Sequence, residues 1–284
     1  MLYRKKPSML SKPYIIPAKP EVLVSLTTQL QSKEPDLAKI VSTLKRDASL
    51  YVLILSTVNR PLFSGAAEIK TIEQAVMRLG FNRLNTLIKL TVLQKSLPGQ
   101  SRLDRFWDTA AEVADLTLNL TGYFKGVNAD DAFTVGMLHD CGVPLMIEQF
   151  PGYLDLLEAS KLDSTEKLVA EELKRYGIDH FTIGAEIASA WQMPEHVSLA
   201  IQLQREYPVS FMSMEQAVSC ECKMLCCLLL LAKDISRRYR HYWRIDQSPE
   251  RNEDLSYVLE YLAIPDLEYW DIRDDLLLEL EQIT

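Results

Sequence analysis

The sequence predicts an all-α protein, on three observations. Apolar residues recur at helical spacing along the whole chain. No stretch alternates with period two for long enough to make a strand. Glycine is scarce, ten in 284 residues, about half the usual ~7%, which disfavours turn-rich β folds and glycine-rich phosphate loops.

The elements follow in order. Residues 1–19, with Pro7, Pro13 and Pro17 among mixed charges, read as an extended arm. Leu37, Ile40, Val41 and Leu44 fall at i, i+3, i+4, i+7, the stripe of a half-buried helix. Ile72, Ala75, Val76 and Leu79 repeat it, with Gly80 as a helix stop. Leu84, Leu87, Ile88 and Thr91 begin the next helix, and Leu97 to Ser101 forms a turn-rich break. Phe106, Ala110, Val113 and Leu120 mark a longer helix ending near Gly122. Ser213 and Gln216 form a capping box ahead of Val218, Leu225, Leu229, Ala232 and Ile235. Ser248 before Pro249 caps a helix carrying Leu255, Val258, Leu259 and Leu262.

Charge and composition bound the function. Subtracting 39 acidic from 31 basic residues gives −8, which argues against broad nucleic-acid binding. The longest apolar stretch, Met224 to Ala232, is far shorter than the ~20 residues of a spanning helix. No secretory segment follows Lys6, and five cysteines in no secreted framework point to the reducing cytoplasm. Cys220, Cys222, Cys226 and Cys227 cannot surround one ion from a single helix, so they read as packing thiols.

Two segments carry chemistry. In Gly136-Met137-Leu138-His139-Asp140-Cys141-Gly142, adjacent helical residues point ~100° apart, so His139 and Asp140 can act together only where the helix ends. Gly142 and Pro144 make that end there. The pair could ligate Zn, Mn or Fe, or could be a hydrogen-bonded helix terminus without metal. Cys141 reads as a small buried residue rather than a nucleophile. Arg237, Arg238, Arg240 and Arg244, interleaved with Tyr239, Tyr242 and Trp243, could pair with phosphates. They could equally dock on a protein partner or on the acidic segment 266–281; net charge is −6 over the last twenty residues.

An ordered set of residues now carries a resemblance: Pro17 and Pro20, Asp47, Leu50, Val58-Asn59, Ile69-Lys70-Thr71-Ile72-Glu73-Gln74-Ala75, Leu79-Gly80, Phe106-Trp107, Leu138-His139-Asp140, Gly177-Ile178-Asp179-His180 with Gly184, and Trp191-Gln192-Met193-Pro194. Over about residues 14–235 the chain resembles the HDOD family, HD-related output domains of bacterial signalling diverged from HD metal-dependent phosphohydrolases. The resemblance implies two packed helical subdomains, at 20–97 and 102–235. The second is a degenerate HD-like bundle, and a C-terminal helical extension follows at 236–284. It also exposes departures. Aligned on Trp107, the first metal-binding His of HD phosphohydrolases falls at Thr109, beside Asp108. Their closing Asp falls at Lys233, one place before Asp234, and a His-His pair of many relatives falls near Gln204-Arg205.

What the resemblance implies is a lapsed phosphohydrolase. His139, Asp140 and His180 remain as vestigial metal-site positions, with no catalytic residue, metal or other cofactor expected. The expected function is a non-catalytic signalling module acting through protein–protein contacts with a signalling partner, or as a homodimer. Two alternatives stay open: a phosphohydrolase using a divalent transition metal on a nucleotide or cyclic dinucleotide, or a sensor holding a nucleotide second messenger in the former cleft.

Overall fold

The computed structural model describes residues 13–59, 68–97, 104–160, 164–207, 219–242 and 255–283. Among them there is no strand; the fold is all-α.

The first helices are α1 (Glu21–Leu30), α2 (Leu37–Lys45), α3 (Ala48–Val58) and α4 (Ile72–Ser96), with α4 packed on the other three. α1 starts behind Pro20 without a side-chain cap, and the other three begin where short polar side chains satisfy the first free amides. Asp36 accepts from the Lys39 amide at 3.1 Å and Asp47 from the Leu50 amide at 2.9 Å. Thr71 and Gln74 form a reciprocal capping box at the start of α4. Asn59 holds residue 69 against the end of α3: its side chain donates to Ile69 O (2.6 Å) and accepts from Ile69 N (2.7 Å). The stop predicted at Gly80 is a sharp kink with no loop. Its φ of 75° and ψ of 170° lie in a region essentially reserved for glycine, and helix resumes at once.

After them come α5 (Asp104–Leu120), α6 (Ala129–Leu138), α7 (Gly142–Gln149), α8 (Tyr153–Ala159), α9 (Thr165–Tyr176), α10 (His180–Ala190), α11 (Glu195–Leu203) and α12 (Cys220–Tyr242). A 3₁₀ turn, Gln204–Glu206, follows α11. α6 packs along α5, α12 lies against α5, α6 and α11, and α10 pairs with α7 and α11; α4 meets α6. The extended arm is bound from residue 14 onward. Tyr14 is buried and donates to Glu186, Ile15 exchanges backbone bonds with the Gln149 side chain (2.7 and 3.0 Å), and Trp191 Nε1 donates to Pro17 O (3.1 Å).

α12 starts at Cys220, where Ser219 Oγ accepts from the Cys222 amide (3.3 Å). The capping box foreseen at Ser213 and Gln216, with Val218, lies outside the described residues, as do the Pro98–Ser101 break and the Ser248 cap. α12 runs without interruption across the 235/236 division. Beyond it, α13 (Ser256–Leu262) and α14 (Asp266–Ile283) both pack on α12. All five cysteines are free, and Cys222, Cys226 and Cys227 are buried among the leucines of α12.

Candidate functional site: a polar ring at the His–Asp turn

The His139-Asp140 pair sits where α6 stops, as Gly142 and Pro144 implied. His139 caps α6 and Cys141 precedes α7. Two glycines bring this turn into the bundle. A methyl group on Gly136 would stand 2.4 Å from Ala114 Cα, so α6 rests on the backbone of α5. One on Gly142 would stand 2.0 Å from His180 O, so α7 and α10 begin in contact. The turn is thereby held against the start of α10, the end of α11 and the middle of α12.

The side chains there close into a ring. His139 Nδ1 lies 2.6 Å from Gly136 O, which directs Nε2 to Asp140 Oδ2 at 3.3 Å. Asp140 Oδ1 faces Lys233 Nζ at 3.5 Å. Lys233 donates to Gln204 Oε1 (2.9 Å), and Gln204 Nε2 donates to His139 O (2.9 Å) and Ile201 O (3.2 Å). The Lys233 ammonium also stands over the Phe181 ring, 5.5 Å from its centroid. Burial by itself would raise the Asp140 carboxyl. The charges of His139 and Lys233, with the His139 hydrogen bond and the charge of His180, outweigh burial and hold it well below the usual carboxylate range.

His180 is anchored behind this ring. Its Nδ1 lies 2.8 Å from Glu172 Oε1, its amide donates to Glu172 Oε2 at 3.2 Å, and the Tyr153 hydroxyl donates to Glu172 Oε1 at 2.5 Å. Glu172 is fully buried, so its carboxylate depends on these donors. Burial, and the charge of Glu172 beside it, push the Tyr153 hydroxyl far above its ordinary pKa. Next to it, Asp179 caps α10 through Thr182 (2.9 Å to the amide, 2.8 Å to the hydroxyl) and pairs with Arg205 at 3.0 Å.

Three of the four positions where the resemblance replaced a ligand have another task. Lys233 neutralises Asp140, Gln204 bridges two backbones and a lysine, and Arg205 serves Asp179. Thr109, half-buried on α5, has no metal-ligating imidazole to offer. The residues present do not suit a transition ion, because a lysine cation already stands beside the one carboxylate of the turn. Cys141 is fully buried: burial, then the Asp140 charge, raise its thiol far above the ordinary range, and Sγ lies 3.6 Å from Gly184 O. Among the described residues, the only group of three or more His, Cys, Asp or Glu side chains with ligand atoms within 4.8 Å of one another is elsewhere, at Asp131, His196 and Glu221.

The arginine segment is engaged within the chain. Arg240 forms a fork on Glu112 of α5 (3.1 and 3.3 Å), and Ser236 also donates to Glu112 (2.5 Å). Arg238 pairs with Asp234 at 2.9 Å, and the Tyr269 hydroxyl of α14 donates to the same carboxylate oxygen at 2.7 Å. The acidic helix thus meets this segment through a tyrosine and a shared aspartate. Arg244 and Trp243 lie outside the described residues, as do the side chains of His241 and Tyr242.

Glu172, Tyr153 and the Asp131–His196–Glu221 group were not foreseen. Glu171-Glu172 in a charged, amphipathic helix reads like any solvated face, and only the packing shows that one of the two is buried.

An all-helical bundle that seats a His–Asp turn against the starts and flanks of neighbouring helices is the architecture of HD-related domains. The chain belongs to the HDOD domain family, whose model matches residues 16–207. Solved structures share the fold. A candidate phosphohydrolase from Shewanella amazonensis SB2B covers 94% of this chain and 91% of its own, at 24% identity and a TM-score of 0.68. An HDOD domain protein of unknown function from Geobacter sulfurreducens covers 95% and 91%, at 18% identity and 0.65. A candidate signal transduction protein from Marinobacter aquaeolei VT8 covers 94% of this chain and 58% of its own, at 21% identity and 0.67. In sequence, the chain is 25% identical over 201 residues to an uncharacterized protein of Treponema pallidum (strain Nichols); the match takes in 68% of this chain but 38% of that relative. Among the described residues, no helix is long and apolar enough to cross a membrane.

Proposed function

We propose that this chain is a non-catalytic signalling module that acts through contacts between its helical surfaces and a protein partner. The observation that carries the reading is Lys233 Nζ, 3.5 Å from Asp140 Oδ1 and 2.9 Å from Gln204 Oε1. A fixed ammonium there supplies the positive charge that a metal would bring, yet it cannot activate water as a Lewis acid. Thr109 and Gln204, at or near positions where the resemblance implies histidine, support the same reading. The membership in the HDOD domain family and the name of the Marinobacter relative fit a signalling context.

Against the nucleotide-sensor reading stands the state of the cleft's cations. Lys233 faces Asp140 and Arg205 faces Asp179, so a phosphate would have to displace a carboxylate from each. The experiment is turnover of a cyclic dinucleotide and of a general aryl phosphodiester by the full chain with Mn²⁺ or Zn²⁺. The expected rate equals that of the Asp140→Asn variant. A metal-dependent rate that Asp140→Asn abolishes would make the protein a phosphohydrolase.

A further inference from the structure

At the far end of the same bundle from the His–Asp turn, three helices begin side by side. Asp131 is in the first turn of α6, His196 in that of α11 and Glu221 in that of α12. By helical rise, Glu221 is about 18 Å along α12 from Lys233, and Asp131 about 12 Å along α6 from His139. The two sites are separate.

We propose that Asp131, His196 and Glu221 bind a divalent first-row cation, Zn²⁺ above all. One ligand atom from each lies within 4.8 Å of the other two, the spacing at which all can reach one ion. Imidazole with two carboxylates suits Zn²⁺ or Mn²⁺, water completing the shell on the exposed Glu221 side. A second observation points to a missing ligand. His196 Nε2 is buried and has no hydrogen-bond partner, although Asp131 Oδ2 is only 2.9 Å away. The His196 side chain is 26% exposed and faces Asp131 as an ion pair, and a ring nitrogen left without a hydrogen bond beside a carboxylate is a group that a shared cation would satisfy. The three helix starts favour the carboxylates and oppose a cation, so the site rests on the two carboxylates and the imidazole, whose mutual repulsion an ion would relieve. Bound there, it would tie α6, α11 and α12 together. Those are the helices that also carry His139, adjoin Gln204 and present Lys233.

The test is Zn²⁺ titration of the full, metal-free chain by calorimetry, followed by X-ray absorption at the zinc edge. One equivalent should bind and raise the melting temperature. Glu221→Gln, an exposed change that leaves the core untouched, should weaken binding at least about tenfold, as should His196→Ala. The absorption spectrum should show only nitrogen and oxygen at ~2.0–2.2 Å. Three results would overturn the site: no saturable binding, affinity unchanged in Glu221→Gln, or sulfur at ~2.3 Å, which would place the ion on the thiols near Cys220 and Cys222. Loss of binding in Asp140→Asn but not in Glu221→Gln would overturn it as well, and would instead point to the His–Asp turn.

Discussion

At the scale of single residues, the Lys233–Asp140 contact sets a pH signature. The Asp140 carboxyl is held well below the usual range near 4. A depressed folded pKa contributes stability that is full above the unfolded value and is lost as pH falls through the folded one. Lys233→Met should therefore destabilise the protein by about 1–3 kcal/mol near neutrality, with the melting-temperature gap to the parent narrowing as pH falls below ~4. A gap that stays constant down to pH 2 would mean that Lys233 contributes only packing. A second residue-scale outcome concerns Glu172. Tyr153→Phe removes one of its donors and leaves a buried carboxylate less satisfied, costing about 1–3 kcal/mol in denaturant unfolding. A cost near zero would show that the 2.5 Å contact does not hold Glu172.

At the scale of elements, two glycines make contrasting predictions. Gly142→Ala drives a methyl group into the His180 carbonyl, so α7 and α10 must separate, costing roughly 1–3 kcal/mol or more and displacing the turn. Gly80→Ala meets nothing within 4 Å, so its cost, about 1–3 kcal/mol, is backbone strain at the kink alone. Melting curves of the two variants, with near-ultraviolet dichroism reporting the buried aromatics of helices α5 to α12, separate the cases. Only Gly142→Ala should perturb that signal. These elements also show what sequence can reveal. Gly80 and Gly142 were legible as breaks, because glycine acts on its own backbone; the Thr71–Gln74 cap was not foreseen, and the packing of α4 brings it out. The burial of Glu172, the route of Gln204 and the meeting of Asp131, His196 and Glu221 join residues 8 to 90 positions apart, and only packing decides them. The arginine segment shows the same limit. Its charge was plain, but Glu112 as the partner of Arg240 lies 128 residues away.

At the scale of the whole molecule, the C-terminal helix belongs to the packed body. Tyr269, Ile272 and Leu276 of α14 are buried, and Tyr269 shares Asp234 with Arg238. Side chains of this size contribute about 1.5–3 kcal/mol each when buried. Removing residues 265–284 should thus cost several kcal/mol and speed hydrogen exchange in the last turns of α12. Unchanged exchange there would detach α14 from the body. As proposed above, Lys233 holds the place that a metal would take beside Asp140. The most direct measurement of this is anomalous diffraction from crystals of the full chain grown with Mn²⁺. The account predicts no anomalous peak within about 2.5 Å of Asp140, with Lys233 still on Asp140 and Gln204. A peak ligated by His139 and Asp140, with Lys233 swung away, would contradict it.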